Sequence, residues 1–166
     1  MDTYSLELLK LAIVYVKDKQ VAEDIVQDVF IQLYYSNTYE EQGKLGSYLK
    51  TLTVNRCKNY LKSWSYRMMQ LKETVIERGT KKRDALVLQE ERAYLTKQLF
   101  ALPLQYREVI YFYYYEELKV KDIASVLSVP ENTVKTRLRK ARSLLKEALP
   151  NEAWEVLQHD ENEEGL

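Results

Sequence analysis

Residues 120–149 read VKDIASVLSVPENTVKTRLRKARSLLKEAL. Apolar residues recur three and four positions apart on either side of Ser128-Val129-Pro130, which predicts two short amphipathic helices joined by a tight bend. Ile123 and Leu127 supply the inner face of the first helix, Ala124 is small enough for the second to cross close by, and Val129 plugs the bend. Pro130 stands where a helix start tolerates a missing N–H. In the second helix Val134, Leu138, Ala141 and Leu145 form the buried stripe. That leaves Asn132, Lys135, Thr136, Arg139, Lys140 and Arg142 toward solvent. Nearly all are hydrogen-bond donors long enough to reach base edges and phosphates in a major groove. A basic surface helix needs neither the bend nor the small Ala124, so the pattern is read as a helix-turn-helix.

Upstream of this unit, periodicity runs from Glu90 to Leu102, and Pro103 opens a further helix carrying Val109, Ile110, Phe112 and Tyr113. From 66 to 89 the apolar pattern fades into ERGTKKRD, which is polar, charged and holds a glycine; this stretch is expected to be a linker. Before it, a helix from about Leu45 to Trp64 places Leu49, Leu52, Cys57, Tyr60 and Trp64 toward one side and Asn55, Lys58, Asn59 and Lys62 on the other. A further helix between Gln20 and Tyr35 has Ala22, Ile25, Val26, Val29, Phe30 and Leu33 as its stripe, with Asp24, Gln27 and Asp28 opposite. With only 4 glycines and 3 prolines as punctuation, the fold class is all-α: two small helical domains, 1–65 and 90–149, joined by a flexible linker at 66–89 and followed by an acidic tail at 150–166.

Charge supports that division. The formal net charge is zero, yet basic residues outnumber acidic ones ten to four in 48–90 and eight to three in 119–149, while 150–166 holds six acidic residues and no basic one. Phosphate neutralisation is local, so each basic block can hold a nucleic-acid surface whatever the total. A single cysteine excludes an internal disulfide, and no apolar run reaches the roughly 18 to 20 residues of a membrane span. The expected location is cytoplasmic.

Three segments then resemble one family. LPLQYREVIYFYYYEELKVKDIASVLSVPENTVKTRLRKARSLLKEAL, ending at Leu149, is similar to region 4 of the extracytoplasmic-function sigma factors of RNA polymerase. AEDIVQDVF resembles their region 2.2, and SYLKTLTVNRCKNYL resembles regions 2.3 and 2.4. The three follow the family's order. The resemblance implies that Asp24, Gln27 and Asp28 dock on the β′ clamp helices of core RNA polymerase, and that the C-terminal domain meets the β flap. It implies that Asn55, Arg56, Lys58, Asn59 and Lys62, with Tyr48 where the family often has tryptophan, capture the minus-ten element as single strand. Lys135, Thr136, Arg139, Lys140 and Arg142 would read the minus-35 element, with Asn132 and Thr133 on phosphate at the helix start. Promoter DNA and core polymerase are the implied partners, and an anti-sigma factor the implied inhibitor.

Departures from the family pattern are specific. The first helix begins almost at Met1, leaving region 2.1 one to two turns short, and Asn59 stands where many members have aspartate. Ser128 and Asn132 each replace a usual glycine; a positive φ at Ser128 would cost up to about 1 kcal/mol. Catalysis, cofactor and metal are not expected. The only histidine, His159, lies in the acidic tail, Asp24 and Asp28 lack a glycine-bent loop with further ligands, and no phosphate-cradling glycine loop is present. Cys57 reads as a core thiol. A helix-turn-helix regulator acting without core polymerase, or an adaptor that binds no promoter, would explain parts of the same chain.

Overall fold

The computed structural model describes residues 2–36, 44–72 and 90–149. Its chain divides into two compact units, 1–84 and 85–166, and the division falls inside the stretch expected to be a linker. Every regular element among the described residues is helical. His159 and the acidic tail lie outside the described residues, as does most of the expected linker.

In the N-terminal unit three helices, α1 (Asp2–Val16), α2 (Lys19–Tyr35) and α3 (Leu45–Lys72), pack each against the other two. The bend between α1 and α2 is made by Lys17 at φ 57°, a left-handed conformation that costs a non-glycine residue about 1 kcal/mol. Asp18 offsets this as the N-cap, its carboxylate accepting the Val21 N–H at 3.0 Å. The core combines Leu8, Leu11, Ala12 and Tyr15 of α1 with Ala22, Ile25, Val26 and Val29 of α2 and Leu49, Val54 and Cys57 of α3. Phe30 and Leu33, read as part of the same stripe, are only half-buried. Thr53 is buried among these side chains because its hydroxyl donates to the Leu49 carbonyl at 2.9 Å.

Two expectations about α3 are corrected. The helix does not end near residue 65 but continues to Lys72, because Arg67, Met68, Met69, Gln70, Leu71 and Lys72 are all good helix formers and no breaker precedes Gly79. Trp64 is not on a covered side: it is 44% exposed, and beyond Cys57 no described side chain of α3 is buried. The helix outlasts the pair it packs on.

In the C-terminal unit, α4 (Glu90–Ala101), α5 (Leu104–Ile110) and α6 (Val120–Leu127) all contact or lead to α7 (Glu131–Ala148), which touches α4, α5 and α6. Val109, Phe112, Ile123, Val134, Leu138 and Ala141 are the closed centre. Pro103 is the N-cap residue of α5, and the buried Arg107 turns back so that its Nη1 donates to the Phe100 carbonyl at 3.1 Å, satisfying the end of α4. The helix expected to run on through Tyr113 instead widens into a π turn over Tyr111–Tyr115, closed by Glu116 N–H to the Tyr111 carbonyl at 3.2 Å. The wider turn spreads four tyrosines into two pairs: Tyr111 stacks on Tyr115 at 5.0 Å, and Tyr113 meets Tyr114 edge-on at 5.0 Å.

The bend between α6 and α7 is as expected. Ser128 takes φ 55°, and the Val129 N–H returns to the Ala124 carbonyl at 3.0 Å, a helix-ending arrangement glycine would satisfy without strain. Asn132 sits in the first turn of α7 and needs no positive φ.

Candidate functional site

Two donor-rich surfaces emerge, one in each unit. On α7, burial of Val134, Leu138, Ala141 and Leu145 turns the opposite side outward, so Asn132, Thr136, Arg139 and Lys140 are exposed while Thr133 and Lys135 are half-buried. The Thr136 hydroxyl donates to the Asn132 carbonyl at 2.8 Å, which leaves its oxygen's lone pairs, and the flanking long side chains, to meet a ligand.

Arg142 does not belong to this surface, contrary to the sequence reading. It is 5% exposed, its Nε donates to the Tyr114 hydroxyl at 2.7 Å, and its guanidinium lies over the rings of Tyr113 and Tyr114 at 5.4 and 5.6 Å. The physical reason is angular. At about 100° per residue, Arg142 points about 70° from the middle of the buried stripe, close enough for tyrosines across the interface to reach it. Arg137 lies about 70° to the other side, and its Nη1 pairs with the buried Glu108 carboxylate at 3.0 Å. Sequence reasoning missed both, although the same arithmetic on the stripe would have marked them as flanking residues. The recognition-type helix is thus clamped at both edges by arginines that face inward.

In the N-terminal unit, Asp24, Gln27 and Asp28 are exposed on α2 as expected. Their face continues toward the helix end through Ile31, Tyr34 and Tyr35, which are also exposed and which charge-based reading overlooked. On α3, Asn55, Asn59 and Lys62 are exposed, and Tyr48 and Lys58 are half-buried. Arg56 departs from its expected company. Its Nη2 and Nε donate to Gln32 Oε1 at 3.0 and 3.3 Å, and its Nη1 lies 3.8 Å from Asp28 Oδ2, so it joins the two faces across α2 and α3. No sequence signal links residues 24 positions apart in this way.

Burial pushes the Cys57 thiol up to about 12, so the group stays protonated and apolar in function, as a core thiol should. Among the described residues, no group of three or more histidine, cysteine or acidic side chains could hold a metal ion, and no helix is long and apolar enough to cross a membrane.

Comparison with known proteins agrees with this geometry. Residues 1–65 match the family model for sigma-70 region 2, and residues 92–145 match that for sigma-70, region 4. The chain is 26% identical over 163 residues to the ECF RNA polymerase sigma factor SigW of Bacillus subtilis, covering 90% of this chain and 86% of the relative. It is 28% identical over 160 residues to the RNA polymerase sigma factor SigV of the same organism, with 88% and 86% covered. Among solved structures it resembles the sigma factor RpoE from Bartonella quintana, determined in complex with the anti-sigma factor NepR. The TM-score is 0.70 at 22% identity, over 88% of this chain and 91% of that one, a likeness of fold.

Proposed function

The chain belongs to the sigma-70 family of RNA polymerase sigma factors, with the extracytoplasmic-function type as its relatives, and from that membership we propose a division of labour among its surfaces. Domain 1–65 docks on the β′ clamp helices of core polymerase through Asp24, Gln27 and Asp28, and captures single-stranded minus-ten bases through Tyr48, Asn55, Lys58, Asn59 and Lys62. Domain 90–149 reads the minus-35 element with Lys135, Thr136, Arg139 and Lys140, while Asn132 and Thr133 hold phosphate; it meets the β flap. The stretch between the domains threads core polymerase, so promoter spacing acts as a ruler.

The carrying observation is that each unit independently exposes a donor strip on the helix where the family reads DNA, with the opposite side of that helix buried. Long side chains on a helix narrow enough to enter a major groove suit duplex readout. A strip of amides and lysines beside Tyr48 suits single-stranded bases. The protein acts by positioning polymerase and carries out no covalent chemistry of its own, and it works in the cytoplasm. By analogy with the solved relative, an anti-sigma protein covers these surfaces and holds the chain inactive.

Run-off transcription tests the reading. Purified protein is added to core polymerase and genomic DNA, and specific transcripts are the expected result. Binding to duplex without specific initiation would mean a helix-turn-helix regulator, and neither activity would mean an adaptor.

A further inference from the structure

We propose that Arg56 is a positioning residue of the polymerase-binding face, not a ligand of the minus-ten strand. This rests on the function argued above and assigns one of its residues a different task.

Three observations carry it. The first is direction: at about 100° per residue, Arg56 points about 110° from the middle of the strip formed by Asn55, Lys58, Asn59 and Lys62. The buried side of the helix is held by Leu49, Thr53, Val54 and Cys57, so Arg56 lies on the flank between strip and core, the flank that meets α2. The second is occupancy. Two of its three nitrogens are committed to a single acceptor, Gln32 Oε1, at 3.0 and 3.3 Å, and the third faces Asp28 at 3.8 Å. A planar fork holding an amide and a carboxylate on consecutive turns of one helix fixes their relative placement in a way an ammonium could not. The third is the identity of what is held. Asp28 belongs to the proposed docking face, and Gln32 is one turn further along α2.

The pair is solvent-exposed, with side chains 43% and 60% accessible, so it adds little to folding. Its effect is instead on recognition. An exposed carboxylate with a free choice of rotamers must be ordered when a partner docks, whereas one already steered by Arg56 has less freedom to lose. Core polymerase therefore meets a face whose geometry is set from α3, the helix that also carries the single-strand strip.

The test compares Arg56→Ala, Arg56→Lys, Gln32→Ala and Lys62→Ala in the full chain. It measures the affinity for core polymerase, the salt dependence of holoenzyme binding to a minus-ten single strand taken from a promoter found by run-off transcription, and the thermal unfolding midpoint. The expected result is a loss of core affinity of about threefold in Arg56→Ala at an unchanged midpoint, partial recovery in Arg56→Lys, and no further loss when Gln32→Ala is added. The slope of log affinity against log salt stays at its wild-type value in Arg56→Ala, whereas Lys62→Ala lowers it by about 0.7. A slope reduced as much as by Lys62→Ala makes Arg56 a phosphate ligand and overturns the proposal; so does a core affinity that does not respond. Wild-type protein that fails to associate with core polymerase overturns the function reading itself, a result seen before any substitution is made.

Discussion

The two donor-bearing helices are held in opposite ways. In the C-terminal unit, α7 is gripped along both edges: Arg137 is drawn onto buried Glu108, and Arg142 is folded under Tyr113 and Tyr114. In the N-terminal unit, α3 is gripped by apolar contacts over its first half only, and an arginine on the flank of that half, Arg56, forms an exposed link to α2. The difference teaches that an arginine's task follows from its angle to the buried stripe rather than from its charge. Near 70° from the stripe it becomes an internal strut. Arg139, about 130° from the stripe, faces solvent and is available to DNA.

The sharpest way to break that contrast is to compare Arg137 with Arg139, equal in charge and two residues apart. Arg137→Ala removes the 3.0 Å partner of the buried Glu108 carboxylate and is expected to destabilise the unit by about 2 kcal/mol, read from urea unfolding. Arg139→Ala should leave the unfolding midpoint within about 0.5 kcal/mol of wild type yet weaken minus-35 duplex binding by about 1 to 3 kcal/mol, measured by fluorescence anisotropy. Similar stability losses in both would end the angular argument.

A smaller effect separates the cores. Cys57 is kept protonated by burial, so its contribution to stability is fully present below the unfolded thiol's ordinary value of 9.0 and declines as pH rises from there toward about 12. Between pH 9 and 10 the wild type should therefore lose about 1 kcal/mol more than Cys57→Val, as followed by chemical denaturation. A Cys57→Val variant with an identical pH profile would show that the thiol is reached by water. The smallest change concerns the bend: Ser128→Gly relieves a left-handed serine and should raise the thermal stability of the C-terminal unit by roughly 0.5 to 1 kcal/mol, without altering duplex affinity.

Much of this was legible in the residues. The stripe Ile123, Leu127, Val134, Leu138, Ala141 and Leu145 is buried throughout because a 3.6-residue period on a two-helix unit admits one inward face. Asp24, Asp28, Asn55, Asn59 and Lys62 are exposed for the same reason. What escaped depends on partners far away in the chain. Arg142 looked like a DNA contact because nothing nearby in sequence announces that Tyr114, 28 residues earlier, will offer it a hydroxyl. Arg56 is likewise claimed by Gln32 on a different helix. Trp64 lies toward the same side as Cys57 and Tyr60 yet is exposed, because sequence period does not report where a supporting bundle stops. The π turn at Tyr111–Tyr115 accompanies the pairing of its rings, Tyr111 on Tyr115 and Tyr113 on Tyr114, which helical periodicity does not register.

The overhang of α3 has an optical consequence. At 44% exposure the Trp64 indole is in contact with water, so it should fluoresce at the long wavelengths of a hydrated ring and be open to collisional quenching by acrylamide. With Trp154 replaced by phenylalanine, a macromolecule seated along that end of the helix would announce itself by a blue shift and by protection from the quencher. The protein thus carries its own dye on the helix that bears the proposed single-strand strip.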